Sequence, residues 1–204
     1  MTKPKLFVIG DSISMQYGPW LKSYISDCFR YGRKGQFEEW GDLNYVSKSN
    51  GGDSSNVLTV LEEMIDCGFK TDYLLLNCGL HDIKVIPPDT KRQIPIDQYQ
   101  VNLRAIIKLA LKNDMKVIWV RTTPLDETIH NTSSPDMNRY EADVVTYNTV
   151  ADGIMKEFGI PMIDLNGFTS SLDEKLYCDH VHFFDPVRKL QAAYIAGFLK
   201  GMLA

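Results

Sequence analysis

No stretch of this 204-residue chain approaches the ~18 consecutive apolar residues that a membrane-spanning helix needs, so no transmembrane segment is expected. Basic residues are in deficit. The 22 Lys and Arg against 26 Asp and Glu leave a net charge of −4, with no electropositive field, and no nucleic-acid partner is expected. The cysteines Cys28, Cys67, Cys78 and Cys178 are scattered without a C-x-x-C spacing, which removes a zinc-finger or ribbon reading. Three of them stand among apolar residues, so free core thiols are expected rather than disulfides. Internal repeats, low-complexity tracts and linkers are missing, which points to one domain over residues 1–204. The opening "MTKPKLFVIGDS" is charged and then apolar, but its apolar run is too short for a signal-peptide core and reads as a first strand. A cytoplasmic location follows for the chain as written; a secreted or periplasmic one belongs to the case of a removed signal.

What is present is 44% apolar and strongly patterned, enough to bury a core without disulfides or metals. "LFVIG" (6–10), "YLLLNCG" (73–79) and "VIWV" (117–120) are short, continuously apolar runs, the signature of strands covered on both faces of a parallel sheet. "NYVSKS" (44–49) and "IPMIDL" (160–165) are weaker runs of the same kind. Helical periods separate them. Trp20, Leu21, Tyr24, Ile25 and Cys28 follow Pro19, a residue favoured at the first helical position. Val57, Leu58, Leu61, Met64 and Ile65 form a second stripe that Asp53 or Ser54 can cap, and Leu103, Ile106, Ile107 and Ala110 a third that Asp97 can cap. A fourth helix is expected from about Tyr140 to Phe158, and a last one carries Val187, Leu190, Tyr194, Ile195 and Phe198. Regular β-α alternation favours an α/β fold with a parallel sheet and helices on both faces. Two polar, Pro-containing connections, 80–95 and 125–138, leave strand C-terminal ends, where open α/β sheets form their ligand crevice.

The tripeptide Gly-Asp-Ser occurs twice, at 10–12 and 52–54, and neither copy lies in a G-x-S-x-G nucleophile elbow. Ser12 ends the clearest buried strand and precedes a helical segment, so Gly10 can turn the chain sharply and helix N–H groups can face an anion. Ser54 follows a polar stretch, and a helix-capping role accounts for it. A serine nucleophile needs a base and a group to orient that base. Among the histidines His81, His130, His180 and His182, His130 sits in a polar loop and is expected to be solvated. In "YCDHVHFFD" (177–185), Asp179 and His182 are spaced so that a turn returns the carboxylate to the imidazole. His180, His182 and Asp185 leave a metal alternative open, with no further ligand to nominate.

Together these segments resemble the SGNH hydrolases, the GDSL-type esterases. Their first block is Gly10-Asp11-Ser12, their second is matched by Gly52-Asp53-Ser54, and their last, Asp-x-x-His, by Asp179 to His182. "RTTP" (121–124) and "YN" (147–148) extend the likeness, which runs in order through nearly the whole chain. The resemblance implies a flavodoxin-like three-layer α/β/α fold with a five-stranded parallel sheet. It also implies Ser12 as nucleophile, His182 as base and Asp179 as its orienting partner. The N–H groups of Ser12 and Gly52 would be oxyanion donors. The third block departs: family members carry Gly-x-Asn-Asp, and "NCGLHD" places His81 where the Asn is expected, between Gly79 and Asp82. His81 is therefore expected to replace the Asn as donor, with substrate contact or a weakened site as the alternatives.

The reaction expected is ester hydrolysis through an acyl-serine, with neither metal nor organic cofactor. The resemblance leans towards deacetylation of a carbohydrate, and the absence of a long apolar surface in either connection favours a short acyl group. Acyl transfer to another acceptor, lysophospholipase or thioesterase activity, and a non-catalytic carbohydrate-binding role are the competing expectations.

Overall fold

A computed structural model describes residues 2–35, 49–134, 136–172 and 175–203. Its sheet contains five parallel strands among the described residues: β1 (Lys5–Ile9), β2 (Arg30–Arg33), β3 (Tyr73–Leu76), β4 (Lys116–Val120) and β5 (Met162–Ile163), in the spatial order β2-β1-β3-β4-β5. Leu6 to Ile9, Leu74 to Leu76 and Val117 to Val120 are buried, as continuous apolar runs in a sheet covered on both faces should be. Trp119, wholly buried, is the largest side chain of this core.

The second strand is not the one the apolar pattern favoured. "RYGR" has no apolar run, yet pairs with β1 from Lys5↔Arg30 to Val8↔Arg33. An edge strand has one paired neighbour and less surface to bury, so β2 needs no hydrophobic signature. Gly32 lets it lie close against the Phe7 ring; a Cβ there would stand 3.1 Å from Phe7 Cδ2. Of the expected strand at 44–49, residues 44–48 lie outside the described residues.

The connections are α1 (Ser12–Tyr24), α2 (Ser54–Asp66), α3 (Ile96–Lys112), α4 (Glu127–Ser133), α5 (Glu141–Glu157), α6 (Leu165–Ser170) and α7 (Asp185–Gly201). Helix α1 packs on α7, while α3 packs on both α2 and α5. Right-handed crossovers to either side of β1 place these two groups on opposite faces, giving the three-layer, flavodoxin-like arrangement. Helix α1 starts before the expected Pro19, because Asp11 caps it by accepting the Ile13 N–H at 2.9 Å; Pro19 lies inside it. Asp53 rather than Ser54 caps α2, accepting the Asn56 N–H at 3.0 Å. Pro95 occupies the α3 cap position, so Asp97 sits in the first turn instead. No helix among the described residues is long and apolar enough to cross a membrane. All four cysteines are free, but only Cys78 is fully buried; Cys67 and Cys178 are exposed, because each stands outside the apolar stripe of its neighbourhood.

The two polar connections meet. Val85 and Asn138 form an antiparallel bridge, with N–H to O distances of 2.9 and 2.7 Å in the two directions. At the root of the first, Gly79 adopts φ +155°, and a Cβ there would collide with Thr122 Oγ1. Gly79→Ala is therefore expected to cost about 1–3 kcal/mol, read as a Tm loss of roughly 2–4 °C per kcal/mol in thermal unfolding.

Candidate active site

In a 2-1-3-4-5 sheet the chain winds one way from β1 to β2 and the other way from β3 onwards. The crevice beyond the β1 and β3 ends is the topological switch point. Ser12 leaves β1 there, and Gly79 and His81 leave β3 there. The segment from Asn50 to Ser54 closes over the same edge: the Gly51 N–H donates to Gly10 O at 2.8 Å. A Cβ on Gly51 would stand 3.1 Å from that oxygen, so the close approach of the two Gly-Asp-Ser segments requires glycine.

The segment before α7 brings the three expected triad residues together. His182 Nε2 lies 2.8 Å from Ser12 Oγ, and His182 Nδ1 lies 2.7 Å from Asp179 Oδ2. The turn works as its spacing suggested, because Asp179 Oδ1 also accepts the N–H groups of Val181 at 2.8 Å and His182 at 2.7 Å. Burial alone would raise the Asp179 pKa, but the His182 side-chain hydrogen bond, those two N–H groups and the His182 charge outweigh it and hold the carboxyl well below its usual range. An ionised Asp179 can only accept, which puts the imidazole proton on Nδ1 and leaves Nε2 to accept from the Ser12 hydroxyl. Ser12 and His182 are buried, while the Asp179 side chain is 45% exposed.

Helix geometry leaves the Ser12 N–H, in the first turn of α1, without an intrahelical acceptor. Gly52, at φ +70°, differs from its expected role: its N–H is directed at Asn50 Oδ1 at 2.9 Å, so an oxyanion there would compete with that side chain. Ser54 is buried away from the imidazole. Its N–H donates to Asp82 Oδ1 and its hydroxyl accepts from Asn102 Nδ2, both at 2.9 Å.

His81 is 3% exposed, and its Nδ1 has no partner. Burial, then the charges of Lys84, Arg139 and His182, push its pKa well down, so the ring is neutral. The stronger, charged donor is excluded by these neighbours.

His130 departs furthest from expectation. It is fully buried, and its Nε2 meets Arg139 Nη1. The polar loop folds as α4 under the connection, and burial with the Arg139 and His180 charges pushes His130 down to about 3. The metal alternative regroups too: ligand atoms of Asp179, His180 and His182 lie within 4.8 Å of one another, but Asp185 instead accepts from Trp20 Nε1 at 3.2 Å and pairs with Lys189 at 2.9 Å. His182 already gives Nδ1 to Asp179 and Nε2 to Ser12, so a metal on either ring nitrogen would displace one of those contacts.

Sequence reasoning missed Arg139 and Lys84, and it placed Asp82 in the third block without giving it a role. Asp82 is wholly buried, and burial pushes it up to about 7 against the pull of the Ser54 hydrogen bonds. Its ordinary value is about 3.9. The stability it lends is therefore complete below that value and lost as pH rises through about 7. Asp82→Asn keeps an acceptor for Ser54 without the charge. The Tm difference between variant and wild type is expected to move in the variant's favour by roughly 8–16 °C between pH 4 and pH 8.

Fold and crevice place this chain in a recognisable structural class: it has the fold of the GDSL-type lipases and acylhydrolases, the SGNH hydrolases, as the sequence resemblance implied. It is similar to the lipase/acylhydrolase from Enterococcus faecalis, at 19% identity and a TM-score of 0.70 over 98% of this chain and 96% of that one. It is similar as well to the acetyl xylan esterase AlAXEase (16% identity, TM-score 0.68, 96% of this chain and 99% of that one). A third similar structure is a catalytic mutant of Axe2, an acetylxylan esterase from Geobacillus stearothermophilus (15% identity, TM-score 0.69, 96% of this chain and 94% of that one). No protein-family model matches the sequence, and no curated protein matches it as a relative.

Proposed function

We propose that the chain is a single-domain serine carboxylic ester hydrolase, acting on a short acyl ester, an acetyl group carried by a carbohydrate in the first instance. The observation that carries this reading is the His182 ring held between Ser12 Oγ at 2.8 Å and Asp179 Oδ2 at 2.7 Å. Ser12 Oγ attacks the ester carbonyl as its proton passes to His182 Nε2, and the Asp179 carboxylate stabilises the imidazolium. Charge builds on the carbonyl oxygen, where the Ser12 N–H and the His81 ring are the donors proposed to meet it, with the Gly52 N–H once it leaves Asn50 Oδ1. Collapse expels the alcohol, which takes the proton from His182 and leaves an acyl-serine. His182 then deprotonates water, whose attack releases the acid and returns the proton to Ser12. No cofactor enters these steps.

The acetyl preference rests on the polar sequences of the two connections, which carry no long apolar run and pair with each other through Val85 and Asn138. The acetyl xylan esterases among the similar structures point the same way. The test is hydrolysis of p-nitrophenyl esters from acetate to octanoate, followed by acetate release from acetylated xylan. Highest kcat/KM at acetate supports the short-acyl reading, a maximum at octanoate overturns it, and no hydrolysis of any ester overturns the esterase.

A further inference from the structure

Three arginines elsewhere in the fold pair with carboxylates: Arg92 with Asp143 at 2.9 Å, Arg104 with Glu157 at 2.9 Å, and Arg121 with Asp164 at 2.6 Å. Arg139, only 4% exposed, has none among the described residues. Its Nε donates to Leu80 O at 2.6 Å and its Nη1 to His130 Nε2. A guanidinium can only donate, so His130 accepts as a neutral ring and offers no compensating charge. Leaving a buried cation without an anion is costly.

Lys84 repeats the anomaly. It is half-buried on the connection after β3, and among the described residues its ammonium makes neither an ion pair nor a hydrogen bond. The two cations repel each other, and burial together with that repulsion pushes Lys84 down to about 8. Both act on the same neighbours. Asp11, the residue before Ser12, feels Arg139 and supports both cations, Asp53 beside Gly52 supports Lys84, and both cations depress His81. The Val85–Asn138 bridge sets Lys84 and Arg139 beside each other across the two connections, and the bonds from Arg139 Nε to Leu80 O at 2.6 Å and from the Lys84 N–H to His81 O at 3.5 Å hold both against the segment that carries His81 into the crevice.

We propose that Lys84 and Arg139 form an anion subsite beside Ser12, so that the ester processed there carries an oxyanion of its own, a carboxylate or a phosphate. This rests on the reading of Ser12 as the nucleophile of an ester hydrolase. Asp11 and Asp53 act on these cations without an ion-pair contact, and an anion in this position supplies the direct partner that neither has among the described residues and gives the buried guanidinium an acceptor for its remaining N–H groups.

Arg139 also ties its loop to Leu80 and His130, so Lys84 is the side chain to replace. In the wild-type protein, p-nitrophenyl hemisuccinate is expected to exceed p-nitrophenyl butyrate, its neutral counterpart, by about tenfold or more in kcat/KM. Lys84→Gln lowers that ratio by about tenfold, the loss of one charge-assisted contact, and Lys84→Arg retains it. A ratio of one or less in the wild type overturns the subsite while leaving the esterase intact. Calorimetric titration of succinate, and separately of inorganic phosphate, reads the subsite without turnover. Binding weakened about tenfold by Lys84→Gln supports it even where neither ester is hydrolysed, the outcome that would overturn the esterase alone; the tighter anion distinguishes carboxylate from phosphate. Failure of both anions to bind overturns it.

Discussion

Ser12→Ala and His182→Ala are each expected to reduce ester hydrolysis by about 10⁴-fold or more, with little further loss when the two are combined. The non-additivity follows from the geometry. His182 Nε2 is 2.8 Å from Ser12 Oγ, so the imidazole has no proton to take once that oxygen is gone, and the hydroxyl is a poor nucleophile without the imidazole. Asp179→Ala is expected to cost less than either, because its side chain is 45% exposed and water can take up part of its role beside the ring. Ser54→Ala supplies the contrast. Its hydroxyl accepts from Asn102 at 2.9 Å within the α2–α3 contact, so the variant should lose about 1 kcal/mol of stability while retaining its rate. Initial rates on p-nitrophenyl acetate, with labelling of the protein by a fluorophosphonate probe, check all four. Activity surviving Ser12→Ala and lost in Ser54→Ala would reverse the assignment of the two serines.

The contrast between the serines was legible before any coordinates because the signals are local. A buried apolar strand running into Gly10-Asp11-Ser12 gives one serine the mouth of a crevice, and the short turn from Asp179 to His182 folds its carboxylate back by sequence spacing alone. The strands β1, β3 and β4 were legible for the same reason: each is buried on both faces and writes that burial as an unbroken apolar run. β2 and α4 left no such trace. An edge strand buries too little to require an apolar run, and "RYGR" carries charge at both ends. Helix α4 is polar because its buried member, His130, meets Arg139 through Nε2 and so brings no apolar residue to the helix. A buried polar pair of this kind looks in sequence like two surface residues. Lys84 and Arg139 were invisible for a related reason: the sequence supplies their charges, but only the fold shows that no carboxylate among the described residues forms an ion pair with them. Gly52 adopts φ +70°, a conformation that favours glycine, whereas the direction of its N–H depends on Asn50, which the sequence did not single out.

That redirected N–H raises the demand on His81. With Gly52 hydrogen-bonded to Asn50, the Ser12 N–H is the backbone donor left at the crevice without an internal competitor, and a second donor has to come from a side chain. His81 occupies the block position where the resembling enzymes carry an amide, lies within electrostatic reach of His182, and is buried with one ring nitrogen unpartnered. A neutral imidazole has one N–H to give, and burial together with the surrounding cations keeps it in that form. His81→Ala is therefore expected to lower kcat by about 10²–10³-fold while KM changes much less, since the bond matters most when the carbonyl oxygen becomes an oxyanion. His81→Asn, which restores an amide donor, should recover part of that loss. Because the ring stays neutral, the fold-loss between wild type and His81→Ala should be the same at pH 6 and pH 8, a result that a charged donor would not give. Steady-state kinetics at both pH values check this. An unchanged kcat would remove His81 from the oxyanion site, and a rise in KM alone would make it a substrate contact.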